Sequence, residues 1–347
     1  MTPPLPARIM AQTPARRSPL SIPTPPNPML SREADSLFWM GRYLERAEAT
    51  SRLVDVQYHA ALESAFPTQD PASLWNSILE ISGDDAIFKA RYGDVSERDL
   101  IQFMVFDLDQ PNSVVSCIRT ARANAQGVRE VISSEMWETV NRAFLDILNW
   151  DVDKVLRSAP HEFLVSVRNR CHLFYGLAER TMLISDAVHF LKCGIFLERA
   201  DQMARLTDVL VRELTGGDYV LEEGEQFDAH GWIACLKSAS AFEAFRKTYR
   251  GGITPDNVLS FLVLDWEYPS SIHHALSQVE MCLRAISGTA GRRYTNDAER
   301  LAGRLHAELS FCTVADMRER GLHEFLEDVQ VHCSEVGSAI TDRYLRH

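Results

Sequence analysis

The sequence lacks most of the signatures by which an activity is recognised. It has no Walker loop, no GxGxxG, no HExxH and no GxSxG, so P-loop, dinucleotide, zincin and hydrolase-elbow chemistries have no anchor in it. Its seven cysteines, at 117, 171, 193, 235, 282, 312 and 333, are odd in number, widely spaced and form no CxxC pair. That excludes a disulfide framework and a zinc ribbon, and it fits reduced thiols in a cytoplasm. The longest apolar stretch, around Val258 to Leu264, is far short of the roughly 20 residues that cross a bilayer. Basic residues are outnumbered 36 to 48, for a net charge of −12. A nucleic-acid partner held by a general basic field is therefore excluded.

Proline is scarce after the first 28 residues. Nine of the fifteen lie between Pro3 and Pro28, alongside Arg8, Arg16 and Arg17 and no acid. Residues 1–28 read as a disordered, Pro-rich tail that cannot bury a core, and Met29 reads as the start of the folded domain, residues 29–347. That body is 46% hydrophobic when counted over the whole chain, enough for a substantial core. Its apolar residues recur at helical spacing, with long helices expected at about 31–66, 111–133, 135–149, 160–182, 184–214, 269–288, 295–312 and 321–345. No stretch reads clearly as strand. Val258 to Leu264 is ambiguous, and Thr215 to Phe227 reads as a loop.

Comparison of the chain with itself shows a repeat. Gly41-Arg42-Tyr43-Leu44-Glu45-Arg46-Ala47-Glu48 returns as Gly194-Ile195-Phe196-Leu197-Glu198-Arg199-Ala200-Asp201. Phe103 to Val114 returns as Phe261 to Ile272, and Trp75 and Tyr92 match Trp232 and Tyr249. The expected fold class is therefore all-α: a helical bundle of two related halves with pseudo-twofold symmetry (about 31–150 and 184–290), capped by C-terminal helices over about 291–347.

At 100° per residue, Gly41, Glu45, Glu48, Arg52, Asp55 and His59 fall within a stripe about 80° wide. The second copy places Gly194, Glu198, Asp201, Arg205 and Asp208 alike. Apolar flanks predict a polar stripe at least partly buried. One reading is an internal ion-pair network, with Glu45 paired to Arg52 or Arg42 and Glu48 to Arg52. The other is a ligand pocket, with Glu45 and Glu198 as candidate catalytic carboxylates. Its candidate binding residues are Arg42, Arg46, Glu48, Arg52, Arg119, Arg122, Arg199, Asp201 and Arg205. No metal site is expected, because a di-iron bundle needs Glu-x-x-His and none occurs. Pro111-Asn112-Ser113, Pro269-Ser270-Ser271 and Ser133-Ser134-Glu135 read as helix starts. Cys171-His172 has no orienting acid nearby in sequence.

The run Met29-Leu30-Ser31-Arg32, Ala34, Ser36-Leu37 and Trp39-Met40-Gly41-Arg42-Tyr43-Leu44-Glu45-Arg46-Ala47-Glu48 resembles the opening signature of the bacterial alpha-E domain family. Ala121-Arg122, Ser134-Glu135, Trp137, Asn141 and Phe196-Leu197-Glu198-Arg199-Ala200-Asp201 agree with it. The resemblance implies an all-helical protein of a family whose members are often encoded beside, or fused to, circularly permuted ATP-grasp proteins and transglutaminase-like proteases, and which is therefore proposed to assist amide-bond or peptide synthesis. On that basis the expected role is an accessory, non-catalytic subunit of an ATP-grasp-type amide or peptide ligase. It would dock the ligase or present a peptide or amino-acid substrate. No cofactor is expected in this chain, and ATP and Mg belong to the partner ligase. The alternative is an enzyme in its own right, or a small-molecule sensor, using a Glu/Arg pocket. One departure stands out: Ile195 in the second copy replaces Arg42 of the first.

Overall fold

A computed structural model describes residues 29–63, 71–158, 160–215, 229–289 and 293–346. The tail expected over 1–28, and the loop expected beyond Thr215, lie outside the described residues. Everything described is helical or irregular, with no strand among the described residues.

The first half holds α1 (Ser31–Glu63), α2 (Pro71–Ser82), α3 (Asp85–Tyr92), α4 (Glu97–Ile101), α5 (Val114–Gly127), α6 (Ser134–Ile147), α7 (Val152–Ser158) and α8 (Pro160–Thr181). Then come α9 (Asp186–Leu214), α10 (Ala229–Ser238), α11 (Phe242–Thr248), α12 (Pro255–Leu259), α13 (Ile272–Ser287), α14 (Asp297–Phe311), α15 (Val314–Arg320) and α16 (Leu322–Ile340). Every long helix expected from periodicity is present; residues 64–66, the expected end of the first, lie outside the described residues, and the helix expected to reach 133 ends at Gly127. The starts are capped as their sequences suggest. Ser113, Ser133 and Ser271 accept the backbone N–H of Ser116, Met136 and His274 at 3.2, 3.3 and 3.0 Å.

The ambiguous run Val258 to Leu264 resolves as the end of α12 followed by a π-helical turn, Ser260–Leu264. A second π turn, Gln102–Phe106, follows α4. The wider turn lets consecutive apolar side chains reach the core, and Phe261, Leu262 and Val263 are all buried. After each of these two π turns an Asp carbonyl accepts the capping serine of the next helix, Asp107 from Ser113 and Asp265 from Ser271, whereas a third π turn, Thr341–Leu345, follows α16 at the end of the described residues. Each of the first two turns also anchors an aromatic cluster. Phe88 stacks on Tyr92 at 5.1 Å and meets Phe103 edge-on at 5.3 Å. Phe245 stacks on Tyr249 at 4.9 Å and meets Phe261 edge-on at 5.6 Å.

The two longest helices form the centre. Helix α1 packs on α9, α5 and α8, and α9 packs also on α13 and α16. Phe38, Met40, Leu44 and Ala47 of α1 and Leu191, Leu197, Ala200 and Ala204 of α9 are buried in the core. The helices cross where two glycines allow their backbones to touch. A Cβ on Gly41 would run into the Leu191 carbonyl oxygen and lie 3.0 Å from the Ile195 nitrogen. A Cβ on Gly194 would run into the Phe38 carbonyl and lie 3.2 Å from the Arg42 nitrogen. Glycine is required there by close approach, since neither position has an unusual φ.

Candidate functional site

One turn beyond each glycine comes a Glu-Arg dipeptide, Glu45-Arg46 on α1 and Glu198-Arg199 on α9. Each arginine grips the other helix's glutamate in the same bidentate geometry. Arg46 donates from Nε to Glu198 Oε1 at 2.6 Å and from Nη2 to Oε2 at 3.0 Å. Arg199 donates from Nε to Glu45 Oε1 at 2.6 Å and from Nη2 to Oε2 at 3.0 Å. This corrects the expectation that Glu45 pairs with Arg52 or Arg42 on its own helix. The glycine crossing brings the opposite guanidinium close enough to present its planar edge, which suits a carboxylate best. Glu48 and Arg52 do pair within α1, at 2.6 Å from Nη1 to Oε1. Asp201 and Arg205 pair within α9 at 3.1 Å.

The exchange of Arg42 for Ile195 makes the crossing asymmetric. Arg42 lies over the Trp39 ring and donates to Glu198 Oε2 at 2.7 Å. Glu198 thus holds two guanidiniums and the Gln202 amide, and is fully buried. Among the described residues, Glu45 holds Arg199 alone. Burial opposes the charge on Glu198, but Arg42 and Arg46 outweigh it and keep the carboxyl at about 2. Glu48 is likewise desolvated, yet Arg52 and His172 hold it at about 2. Asp201 goes the other way: burial raises its carboxyl above the ordinary range despite Arg205.

A cavity of about 220 Å³ opens on the Glu45 side of the crossing. Glu45, Glu48 and Arg52 of α1 line it with Arg199 and Gln202 of α9 and His172 and Tyr175 of α8. Leu53, Ile81, Met203 and Leu206 give it an apolar wall, and Ser240 and Ser270 complete the rim. Of the candidate residues, Glu45, Glu48, Arg52 and Arg199 therefore converge on the cavity. Glu198, Arg42, Arg46, Asp201 and Arg205 belong to the paired seam beside it. Arg119 and Arg122 join neither. Arg119 donates to the Leu108 carbonyl at 3.2 Å. Arg122 donates to Asn141 at 2.7 Å and lies over Trp137 and Phe144. Their partners are thus neutral groups rather than the acids of the bundle.

Tyr175 escaped sequence reasoning. Its hydroxyl is buried without a hydrogen-bond partner among the described residues. Burial first, then Glu45, Cys171 and Glu48, raise its pKa well above the ordinary value. The sole sequence cue is its place three residues after His172 on α8, one turn along the same face. Cys171 itself is buried, with its thiol raised well above the ordinary value by desolvation, which disfavours the thiolate a nucleophile needs. Asn112, read only as part of a helix start, accepts from Arg46 Nη1 at 2.6 Å.

A second cluster forms at the far end of the α1 stripe. Asp55, His59 and His161 bring donor atoms within 4.8 Å of one another, a spacing that could hold a metal ion. No metal site was expected, for want of a Glu-x-x-His motif, and that test is blind to a cluster that brings in His161 from 106 residues away. Asp55 also accepts from Arg168 at 2.7 Å and lies 2.9 Å from His161 Nδ1. On α9, Asp208 is approached by His323 at 3.0 Å.

An all-helical bundle with paired Glu-Arg dipeptides at its central crossing is the class defined by this geometry. The chain belongs to the Alpha-E family, described as a predicted alpha-helical domain with a conserved ER motif, whose family model matches residues 29–345. It is 25% identical over 335 residues to the uncharacterized protein Rv2567 of Mycobacterium tuberculosis, covering 89% of this chain and 36% of that one. It is 24% identical, with the same coverage, to the uncharacterized protein Mb2597 of Mycobacterium bovis. The chain thus spans 36% of the length of these curated relatives. No solved structure matches it. No described helix is long and apolar enough to cross a membrane.

Proposed function

We propose that this chain is an accessory, non-catalytic helical subunit of an ATP-grasp-type amide or peptide ligase. It docks the ligase or presents a peptide or amino-acid substrate, while ATP and Mg sit on the ligase. A transglutaminase-like protease is a further partner in this reading. The observation that carries the non-catalytic part is the state of the seam. Its central carboxylates are locked to guanidiniums, and Glu48 and Glu198 are held at about 2, far from the near-neutral value of an effective general base. The ligase partnership rests on the family resemblance. The greater length of the curated relatives leaves room for a second unit in the same chain.

We also infer that the two halves arose by duplication and face one another about a pseudo-twofold axis, with the C-terminal helices as a cap. The reciprocal Glu-Arg grips, the matched π turns at Gln102–Phe106 and Ser260–Leu264, and the two aromatic clusters support this. Docking is supported by exposed aromatics near His273-His274. Trp266 is 69% exposed and Phe311 87% exposed. His274 bonds the Trp266 carbonyl, and His273 lies 3.2 Å from Ser310, the neighbour of Phe311. Aromatic side chains are enriched at protein interfaces.

Affinity purification of the tagged chain from its native host, with mass spectrometry of co-eluting proteins, tests the partnership. A stoichiometric ATP-grasp protein whose ATP turnover changes on adding this chain is the expected result. A protein that elutes alone, or a ligase indifferent to its presence, rejects the reading.

A further inference from the structure

The geometry points to the cavity beside the helix crossing as a binding site for a small zwitterion, a free amino acid or dipeptide with an apolar side chain. It would receive the ligand's ammonium at Glu45 and Glu48 and its carboxylate at Arg52. This gives the presenting role its ligand, yet it concerns the isolated protein and stands without the ligase.

Charge balance is the first argument. Two carboxylates, Glu45 and Glu48, face two guanidiniums, Arg52 and Arg199, on the cavity wall. Such a site has no net field to retain a phosphate dianion or a polycation. Its charges stand as two ion pairs, Glu45 with Arg199 and Glu48 with Arg52, with His172 against Glu48, and together they offer both signs to a zwitterion.

Unused bonding capacity is the second. Arg52 commits Nε to the Ser238 carbonyl at 2.7 Å and Nη1 to Glu48, leaving Nη2 for an incoming carboxylate. Gln202 commits its Nε2 to Glu198 at 3.1 Å, leaving its Oε1 to accept from an ammonium. The Tyr175 hydroxyl, buried on the same wall, has no partner. An unsatisfied buried hydroxyl costs stability unless something pays it back, and a bound ligand is one group that can.

Size and lining complete the assignment. At about 220 Å³ the cavity is below the roughly 300–1,000 Å³ of sites for drug-sized ligands. Leu53, Ile81, Met203 and Leu206 offer an apolar wall for a modest aliphatic side chain.

Calorimetric titration of the full chain with L-leucine and glycyl-L-leucine tests this. N-acetyl-L-leucine, which lacks the ammonium, and L-leucinamide, which lacks the carboxylate, are the controls. At least one free zwitterion should bind. Each capped form should bind at least about tenfold more weakly, the scale of one charge-assisted hydrogen bond. Tyr175→Phe should weaken the zwitterion several-fold without lowering Tm. Ala49, next to Glu48 on α1, also lines the cavity, so Ala49→Leu, which fills it and removes no charge, should abolish binding with the fold intact by circular dichroism. Silence from both zwitterions, equal binding of the capped forms, or full binding by folded Ala49→Leu would overturn the assignment. None of these outcomes bears on the ligase partnership.

Discussion

Arg46 holds the fully buried Glu198 by both carboxylate oxygens, at 2.6 and 3.0 Å, across 152 residues of sequence. Arg42 adds a third bond to the same group at 2.7 Å. The crossing is therefore an electrostatic joint in which two guanidiniums share one carboxylate.

Removing that carboxylate should be severe. Glu198→Ala leaves Arg42 and Arg46 desolvated without the carboxylate they bond, a class of change that costs about 3–5 kcal/mol. Urea denaturation should show the loss, and Glu198→Gln should lose nearly as much, because it keeps the shape but not the charge. Unchanged midpoints in both variants would mean that the joint contributes nothing to folding.

The glycines of the crossing should reverse an ordinary helix rule. Gly→Ala inside a helix normally gains about 1 kcal/mol. At Gly41 or Gly194 the added methyl meets the opposite backbone, and over-packing costs about 1–3 kcal/mol. Thermal melting of Gly41→Ala and Gly194→Ala should give a lower Tm in each. The exposed helical Gly176, whose Cβ would meet nothing within 4 Å, should give a higher one on the same change.

Acid should loosen the bundle over a defined window. Glu48 and Glu198 are held at about 2 in the folded chain, against an ordinary 4.5. A carboxyl depressed by folding contributes its stability above the unfolded value and loses it as pH falls through the folded value. The loss should therefore run from about pH 4.5 down to 2, on the order of 3 kcal/mol for each group. Asp201, raised by burial, opposes this trend as it takes up its proton. Denaturation midpoints measured at pH 7, 4 and 3 give the slope, and a flat profile would show that the pairs do not form in solution.

The thiols should be nearly silent in the native protein. All seven are free, and six are buried. Burial pushes Cys117 and Cys235 to about 12. A thiol-disulfide reagent at pH 8 should label the half-buried Cys312 slowly and the other six only in denaturant. Rapid labelling of two or more thiols would contradict the packing around them.

The helices were legible in the sequence because their signal is local. Pro111, Ser113, Ser133 and Ser271 announce their helix starts, and the apolar spacing of α1 and α9 fixes which face is buried. The stripe bearing Glu45, Glu48 and Arg52 was legible for the same reason. The identity of each partner was not. Periodicity places Glu45 on a face, but only the approach of two glycine backbones decides that Arg199, and not Arg52, answers it. Tyr175, Gln202 and His161 were missed because nothing in their own neighbourhoods marks them, and their meaning comes from helices more than a hundred residues away or from a neighbour across a cavity. The π turns were unreadable in advance, since five apolar-rich residues carry no clear period.

The reciprocal grip also sets a timetable for synthesis. Helix α1 emerges well before α9, and Arg42 and Arg46 find the Glu198 carboxylate only when it appears, 156 and 152 residues later. At about 5–20 residues per second, that delay is on the order of ten seconds or more. Through that interval the nascent α1 must keep its charged stripe in water or lean on a temporary host. Final docking of the centre is therefore a late event, gated by translation of the second long helix.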